Sequence, residues 1–306
     1  MLKFDKPQTV FEISGVKIGG QPGEYPTVLI GSIFYDQHKI VSNPAKGEFD
    51  RNQAEALIKK QEEMSDKTGN PIVIDVVGST VEALKRYVDF ASSICESPFL
   101  VDGPSASIRI PVIQHIAEVG LQNRAIYNSI DYNFKEDELK KILEYKIKSA
   151  VCLAHNPKNV WPEGRVDILR GTATQKGLLE AAKTAGIENI LVDTAVLDVP
   201  SIGLAAKAIQ FVKSELGLPA GCGPSNAIST WKKVKTDFGS FARDVCDAGA
   251  DVATIFSGAN FVLYGPIDRS ERVFPACAMA DAIVAYVARR YGIKPKVSTH
   301  PLFKIF

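Results

Sequence analysis

Short runs of β-branched and other apolar residues recur along the chain, separated by stretches whose apolar positions fall at helical spacing. The runs are TVLIGSIF (27–34), PIVIDVV (71–77), PFLVD (98–102), RAIYNSI (124–130), SAVCLAH (149–155), NILVDTAV (189–196), LPAGCG (218–223) and DVATIFSG (251–258). Their nearly continuous apolar character predicts strands buried on both faces. Between them NQAEALIKKQEEMSDK, STVEALKRYVDFASSI, EDELKKILEYKIK, TQKGLLEAAKTAG and SIGLAAKAIQFVKSELG read as amphipathic helices. Such alternation predicts an α/β fold with a parallel sheet covered by helices. Eight repeats favour a closed (β/α)8 TIM barrel.

The connections point to one face of that barrel. Helix-to-strand links are brief, whereas three strand-to-helix links are long: Tyr35–Asn52, Asn156–Thr174 and Ala259–Pro275. Long loops in a compact domain are usually functional or disordered, and strand-to-helix loops gather at the C-terminal face of a barrel. The preceding segment, TVFEISGVKIGGQPGEYP, predicts a small hairpin around Ser14–Gly15, so that residues 1–26 form a cap on a single domain spanning 1–306.

Composition narrows the function classes. A formal net charge of +1 removes the electrostatic footprint of nucleic-acid binding. The opening residues MLKFDKPQTVFEI carry charges where a signal peptide needs an apolar core, and no apolar run reaches the length of a membrane span. A cytoplasmic protein without membrane insertion is expected. Five cysteines form no C-x-x-C pair and the four histidines show no ligand spacing, so no metal site is expected. The cysteines read as buried thiols, with Cys222 in GCGPSN the possible exception.

Polar side chains at the strand ends carry the chemistry. Asp75 ends VIDVVG, Asp102 ends FLVDG, Asn128 lies in IYNSID, Asp193 in LVDTAV, and Asn226 in GCGPSN. An unpaired buried carboxylate costs several kcal/mol, roughly, so these groups must meet ligand, water or one another. Asp and Asn are also common helix N-caps. Asp75, Asp102 and Asp193 stand too far ahead of the next helix for that role, while Asn226 fits it better. No strand-end Lys or phosphate motif accompanies the ring, and carboxylates with amides suit a neutral heterocycle rich in N–H donors. A pterin fits, because its 2-amino and N3–H groups form a fork that a carboxylate accepts.

The blocks FDKPQTVFEI, GVKIGGQPGEYPTVLIGSIFY, HKIV, KGEFDR, SDKTGNP, PFLVDG, NSI and FVLYGPI resemble the H subunit of tetrahydromethanopterin S-methyltransferase across nearly the whole chain. More distantly, the ring is similar to that of corrinoid/iron–sulfur-protein methyltransferases and dihydropteroate synthases. The resemblance implies methyl transfer between N5 of a tetrahydropterin and the cobalt of methylcobalamin or a protein-bound corrinoid. It implies that Asp75, Asp102, Asn128 and Asp193 hold the pterin, that Asn226 approaches N5, and that Asn226 and Asp102 are the catalytic pair. The preferred expectation is a stand-alone methylcobalamin:tetrahydrofolate methyltransferase. The alternatives are a methyl-tetrahydromethanopterin:corrinoid methyltransferase subunit and a non-catalytic subunit that docks a corrinoid protein. A corrinoid-protein partner and a homodimer are expected by resemblance. Tyr35, His38, His155 and Tyr264, together with Phe34, Trp161 and Phe261, are candidates for the rim that meets the corrinoid or its carrier.

Overall fold

The computed structural model of the chain describes residues 3–172, 175–239 and 241–306. An antiparallel hairpin of β1 (Val10–Ile13) and β2 (Val16–Gly19) precedes β3 (Val28–Ile33); a second small pair, β4 (Val41–Asn43) and β5 (Glu48–Phe49), leads into α1 (Arg51–Thr68). Then follow β6 (Ile72–Val77), α2 (Val81–Ile94), β7 (Phe99–Asp102), α3 (Ala106–Glu118), β8 (Ala125–Ile130) and α4 (Glu136–Glu144). The next elements are β9 (Ser149–Leu153), α5 (Pro162–Arg170), α6 (Leu178–Thr184), β10 (Asn189–Asp193) and α7 (Ser201–Phe211). The chain finishes with β11 (Ala220–Cys222), α8 (Pro224–Ser229), α9 (Val234–Phe238), α10 (Ala242–Phe256), β12 (Phe261–Pro266), α11 (Ser270–Ala288) and α12 (Pro301–Lys304). Strands β3 and β6 to β12 close in sequence order into a parallel (β/α)8 barrel.

Two apolar cores organise it. Val28, Val73, Leu100, Ile126, Val151 and Leu191 point inward near the strand beginnings and pack with Ile13 and Ile18 of the hairpin, which therefore fills the N-terminal mouth. The larger core lies between strands and helices, where Phe34, Tyr87, Tyr127, Tyr264 and Phe274 are fully buried. With the lower mouth filled, the upper, C-terminal mouth is the open end of the barrel.

The structure moves one predicted strand. DVATIFSG is not the eighth strand but the last turns of α10, and the eighth strand is β12, with the sequence FVLYGP. The inward positions of α10 are Asp247, Asp251, Thr254 and Ile255, at helical spacing. Two carboxylates occupy core positions there, so the apolar stripe that would announce a helix is interrupted and its β-branched end reads as a strand. The supposed loop Ala259–Pro275 accordingly contains β12 and the start of α11, and Asn156–Thr174 contains α5. Ala173 and Thr174 lie outside the described residues. Helix α3 went unread because Pro111 sits inside it.

Candidate functional site

A cavity of about 570 Å³ opens at the C-terminal ends of the strands, and Asp75, Asp102, Asn128, Asp193 and Asn226 all line it. Parallel pairing fixes their heights. Asp102 on β7 stands beside Asn128 on β8, and Asp75 on β6 stands beside Ser32 on β3. None of the three aspartates caps a helix: α2 is capped by Thr80, whose Oγ accepts from the Ala83 N–H, and α3 begins after Ser105. Asn226 lies inside α8 rather than ahead of it, with its side chain exposed to the cavity.

The carboxyls are held in different protonation states. Burial, and then the nearby charge of Asp102, push the Asp75 carboxyl well above its ordinary range, although the Ser32 hydroxyl opposes the shift by donating to Oδ2 at 2.6 Å. Oδ1 of Asp75 is buried without a hydrogen-bond partner among the described residues. Burial also raises Asp102 to about 6, with Arg109 opposing and Asp193 adding to the rise. Asp193 is likewise pushed up by burial to about 6, against the opposing pull of the Ala195 N–H, which donates to Oδ1 at 2.7 Å, and of Arg165. Burial thus favours the protonated form at Asp75, while Asp102 and Asp193, near 6, lean to carboxylates at neutral pH. That combination accepts two N–H donors and donates one hydrogen bond.

Two buried arginines, absent from the candidates read in the sequence, hold these strand ends in place. Arg109 of α3 donates to the Gly103 carbonyl at 2.6 Å and the Ser129 carbonyl at 3.1 Å, one residue past Asp102 and Asn128 respectively. Glu138 receives the same guanidinium at 3.4 Å, and Tyr127 donates its hydroxyl to Glu138. On the other side, Arg165 of α5 donates to the carbonyls of Thr194 and Ala195, directly past Asp193. Ala195 adopts a positive φ of 57°, a conformation that side-chain-bearing residues take only under such constraint. Arg165 lies in a segment read as loop, and Arg109 in a helix that was not read at all. Ser32 was also missed, because a lone Ser at a strand end carries no distinguishing signal.

The rim candidates separate. Tyr35 lines the cavity and stacks on His38 with ring centroids 4.6 Å apart. His38 itself is buried, its Nδ1 accepting from the Phe34 N–H at 3.2 Å, so it braces the loop. His155 is half-buried beside Tyr132, and only Trp161 among the proposed aromatics is strongly exposed. Tyr264, Phe261 and Phe34 do not form a rim: all three are fully buried. Tyr264 and Phe261 belong to β12, and the misplaced strand is what put them on a loop. Cys222 is buried with a thiol pushed up by burial, which makes it inert. Among the described residues no three His, Cys, Asp or Glu side chains are grouped to hold a metal ion. Among the described residues no helix is long and apolar enough to cross a membrane.

Comparison with known proteins places this geometry. Residues 6–296 match the family model described as the tetrahydromethanopterin S-methyltransferase MtrH subunit. The chain is 43% identical over 311 residues to the H subunit of tetrahydromethanopterin S-methyltransferase from Methanothermobacter thermautotrophicus, covering 100% of both chains. It is 42% identical to the H subunit of the same enzyme from Methanocaldococcus jannaschii, again over 100% of both. It is 40% identical to the H subunit of a putative mtx methyltransferase from Methanosarcina barkeri, over 99% of both. Among solved structures, dihydropteroate synthase of Yersinia pestis superimposes with a TM-score of 0.63 at 14% identity, covering 91% of this chain and 100% of that one. The Coxiella burnetii enzyme gives 0.61 at 14% identity with the same coverage. At that identity the likeness is one of fold.

The full-length relatives correct one expectation. A stand-alone methylcobalamin:tetrahydrofolate enzyme is overturned by relatives of 40–43% identity named for tetrahydromethanopterin and by a family model of the same name. The strand-end residues were unable to make the distinction, since both pterins present similar ring donors and differ in tails remote from them.

The raised pKa values carry a stability consequence. Asp102 takes up its proton near 6 when folded and near 3.8 when unfolded, so its ionised form penalises the fold above pH 6 and the penalty fades as pH falls toward 4. Asp102→Asn removes that charge and should stabilise the free protein by on the order of 1–3 kcal/mol at pH 8 and by much less at pH 4.5. Thermal unfolding at the two pH values measures this. A loss of stability of equal size at both would contradict the protonation scheme.

Proposed function

This chain belongs to the tetrahydromethanopterin S-methyltransferase MtrH subunit family and is a methyltransferase, and from that premise we propose that it moves a methyl group between N5 of tetrahydromethanopterin and the cobalt of a corrinoid. The observation that carries the reading is the convergence of Asp75, Asp102 and Asp193 on one cavity, all three buried and raised above the ordinary carboxyl range. The ionised pair, Asp102 and Asp193, suits the 2-amino and N3–H fork of the pterin. Asp75, whose burial favours the protonated form, suits a ring acceptor, and its unpartnered Oδ1 leaves room for a further hydrogen bond. Asn128, level with Asp102, serves the ring from the adjacent strand.

The bound corrinoid supplies the cobalt that carries the methyl group. The chain's own contribution is alignment and a proton route. Orientation of the reacting groups is worth about 7–11 kcal/mol in favourable cases. When N5 leaves the methyl group it must hold a proton, because an amide-like anion is a very poor leaving group. When N5 receives the methyl group, the proton must be released. Asn226 has no ionisable group, so its part is to polarise and orient N5, while water ordered by the ring of carboxyls carries the proton. The corrinoid is large, and a carrier protein docking over the open mouth is the partner that suits it. Tyr35 lines that mouth, and Trp161 is exposed on the β9–α5 connection at the same end of the barrel. Five free cysteines agree with action in a reducing cytosol.

The test follows the visible spectrum of methylcobalamin mixed anaerobically with the protein and tetrahydromethanopterin, alongside calorimetry of pterin binding. Asp193→Ala should weaken pterin binding by about tenfold or more, as for a lost charge-assisted pair. Asn226→Ala should lower turnover by about 10²-fold while changing affinity little. Affinity should fall by between about tenfold and about a hundredfold per unit as pH drops well below 6, according to whether one or both of Asp102 and Asp193 must lose the proton they gain there. No pterin binding at any pH would remove the proposal.

We also propose a homodimer built on the outer faces of α10 and α11. Phe241, which precedes the first helix, Val245 and Phe256 on it, and Met279, Ile283 and Tyr286 on the second are exposed, at helical spacing on each. Contiguous apolar patches of this kind mark interaction sites. Sedimentation equilibrium should give a dimer that Ile283→Asp dissociates; a monomeric wild-type chain at about 50 μM, a concentration at which specific interfaces persist, rules it out.

A further inference from the structure

One buried ion pair has no part in the chemistry described so far. Behind α8, Arg269 Nη1 donates to Asp247 Oδ2 at 2.6 Å and to Ser225 Oγ at 2.8 Å. The Asp247 side chain is 1% exposed and that of Arg269 12%. Arg109 and Arg165 grip backbone carbonyls beside the cavity carboxylates, whereas Arg269 grips the side chain of the residue immediately before Asn226.

That contact matters because α8 cannot orient itself. It has six residues, starts with Pro224 one residue after β11, and is far below the length at which a helix holds its shape unaided. Its apolar residues Ala227 and Ile228 are buried, and apolar packing limits position without fixing rotation. Ser225 adds the directional contact. Successive residues on a helix lie about 100° apart, so a turn of α8 that breaks the Ser225–Arg269 bond sweeps the Asn226 amide across the cavity.

The surroundings are fitted to this arrangement. A Cβ on Gly265 would come within 2.5 Å of Ser225 Oγ and 2.9 Å of its Cβ, and Gly265 has a φ of 81°. Only glycine lets the end of β12 run so close to α8. Asp247 also faces Arg243 Nε at 3.7 Å, and Arg243 lines the cavity. Its carboxylate is thereby held between two guanidinium groups, which sets the direction of Arg269.

We propose that Asp247, Arg269 and Ser225 form a positioning tie that fixes the angle at which the Asn226 amide meets the reacting nitrogen. They are positioning residues: they act through Asn226 and touch no reacting atom. The inference rests on the assignment of the cavity to a tetrahydropterin and of Asn226 to N5.

Ser225→Ala tests it, since it removes the acceptor while leaving the Arg269–Asp247 pair intact. In the ligand-free protein, hydrogen exchange over residues 224–229 should rise in the variant while exchange in β6, β7 and α3 stays at wild-type rates. In the anaerobic methyl-transfer assay, kcat should fall by about tenfold and pterin affinity stay within about twofold, as expected for lost orientation. In the Asn226→Ala background the same substitution should cost nothing further. Asp247→Asn should repeat the exchange result, and its unfolding temperature shows whether the fold survives. Unchanged exchange over 224–229, or an equal loss of kcat with and without Asn226, overturns the tie. Absence of tetrahydropterin binding in the wild-type protein instead removes the assignment of the cavity, and the exchange measurement still decides whether Ser225 holds α8.

Discussion

Carboxyl groups buried at the ends of apolar strands are the constraint around which the rest of this molecule is arranged. Asp75, Asp102 and Asp193 sit at the top of a barrel whose interior below them is closed by Ile13, Ile18 and the inward-facing strand residues. Removing such groups from water is unfavourable, and the raised pKa values of all three record it. The fold tolerates the cost because strand ends are held by arginines reaching in from the helices behind. Arg109 fixes the backbone after Asp102 and Asn128, and Arg165 fixes it after Asp193. Arg269 does the equivalent for α8 through Ser225.

The arrangement joins stability to function. A planar ligand of the proposed kind, bringing N–H donors between these groups, would relieve part of what their burial costs the fold. Arg109 also lines the cavity, and the cations of Arg109 and Arg165 keep Asp102 and Asp193, respectively, from rising further.

Much of this was legible before folding was considered. Seven of the eight barrel strands announce themselves as apolar runs, and four of them carry at or near their C-terminal ends a polar residue that lines the cavity: Asp75, Asp102, Asn128 and Asp193. The eighth was misplaced because Asp247 and Asp251 occupy the core positions of α10 and break its apolar stripe, and that error carried Tyr264 from a buried strand onto an imagined rim. The same two carboxylates show what sequence pattern cannot express. Asp247 is a core residue only because Arg269, twenty-two positions later, comes back to meet it. Arg109 and Arg165 were invisible for the same reason, since a buried arginine is defined by carbonyls that other strands bring to it. The pterin tail lies beyond the reach of strand-end reasoning altogether, so full-length relatives rather than ring residues corrected the folate expectation.

The most direct measurement of the central claim is a crystal structure of the protein with bound methyl-tetrahydromethanopterin. The account predicts the pterin ring inside the cavity at the C-terminal mouth, with its 2-amino and N3–H groups within hydrogen-bond distance of Asp102 and Asp193 and its N5 facing the Asn226 amide. A ring bound elsewhere, or bound there with its N–H edge turned away from both carboxylates, would contradict it.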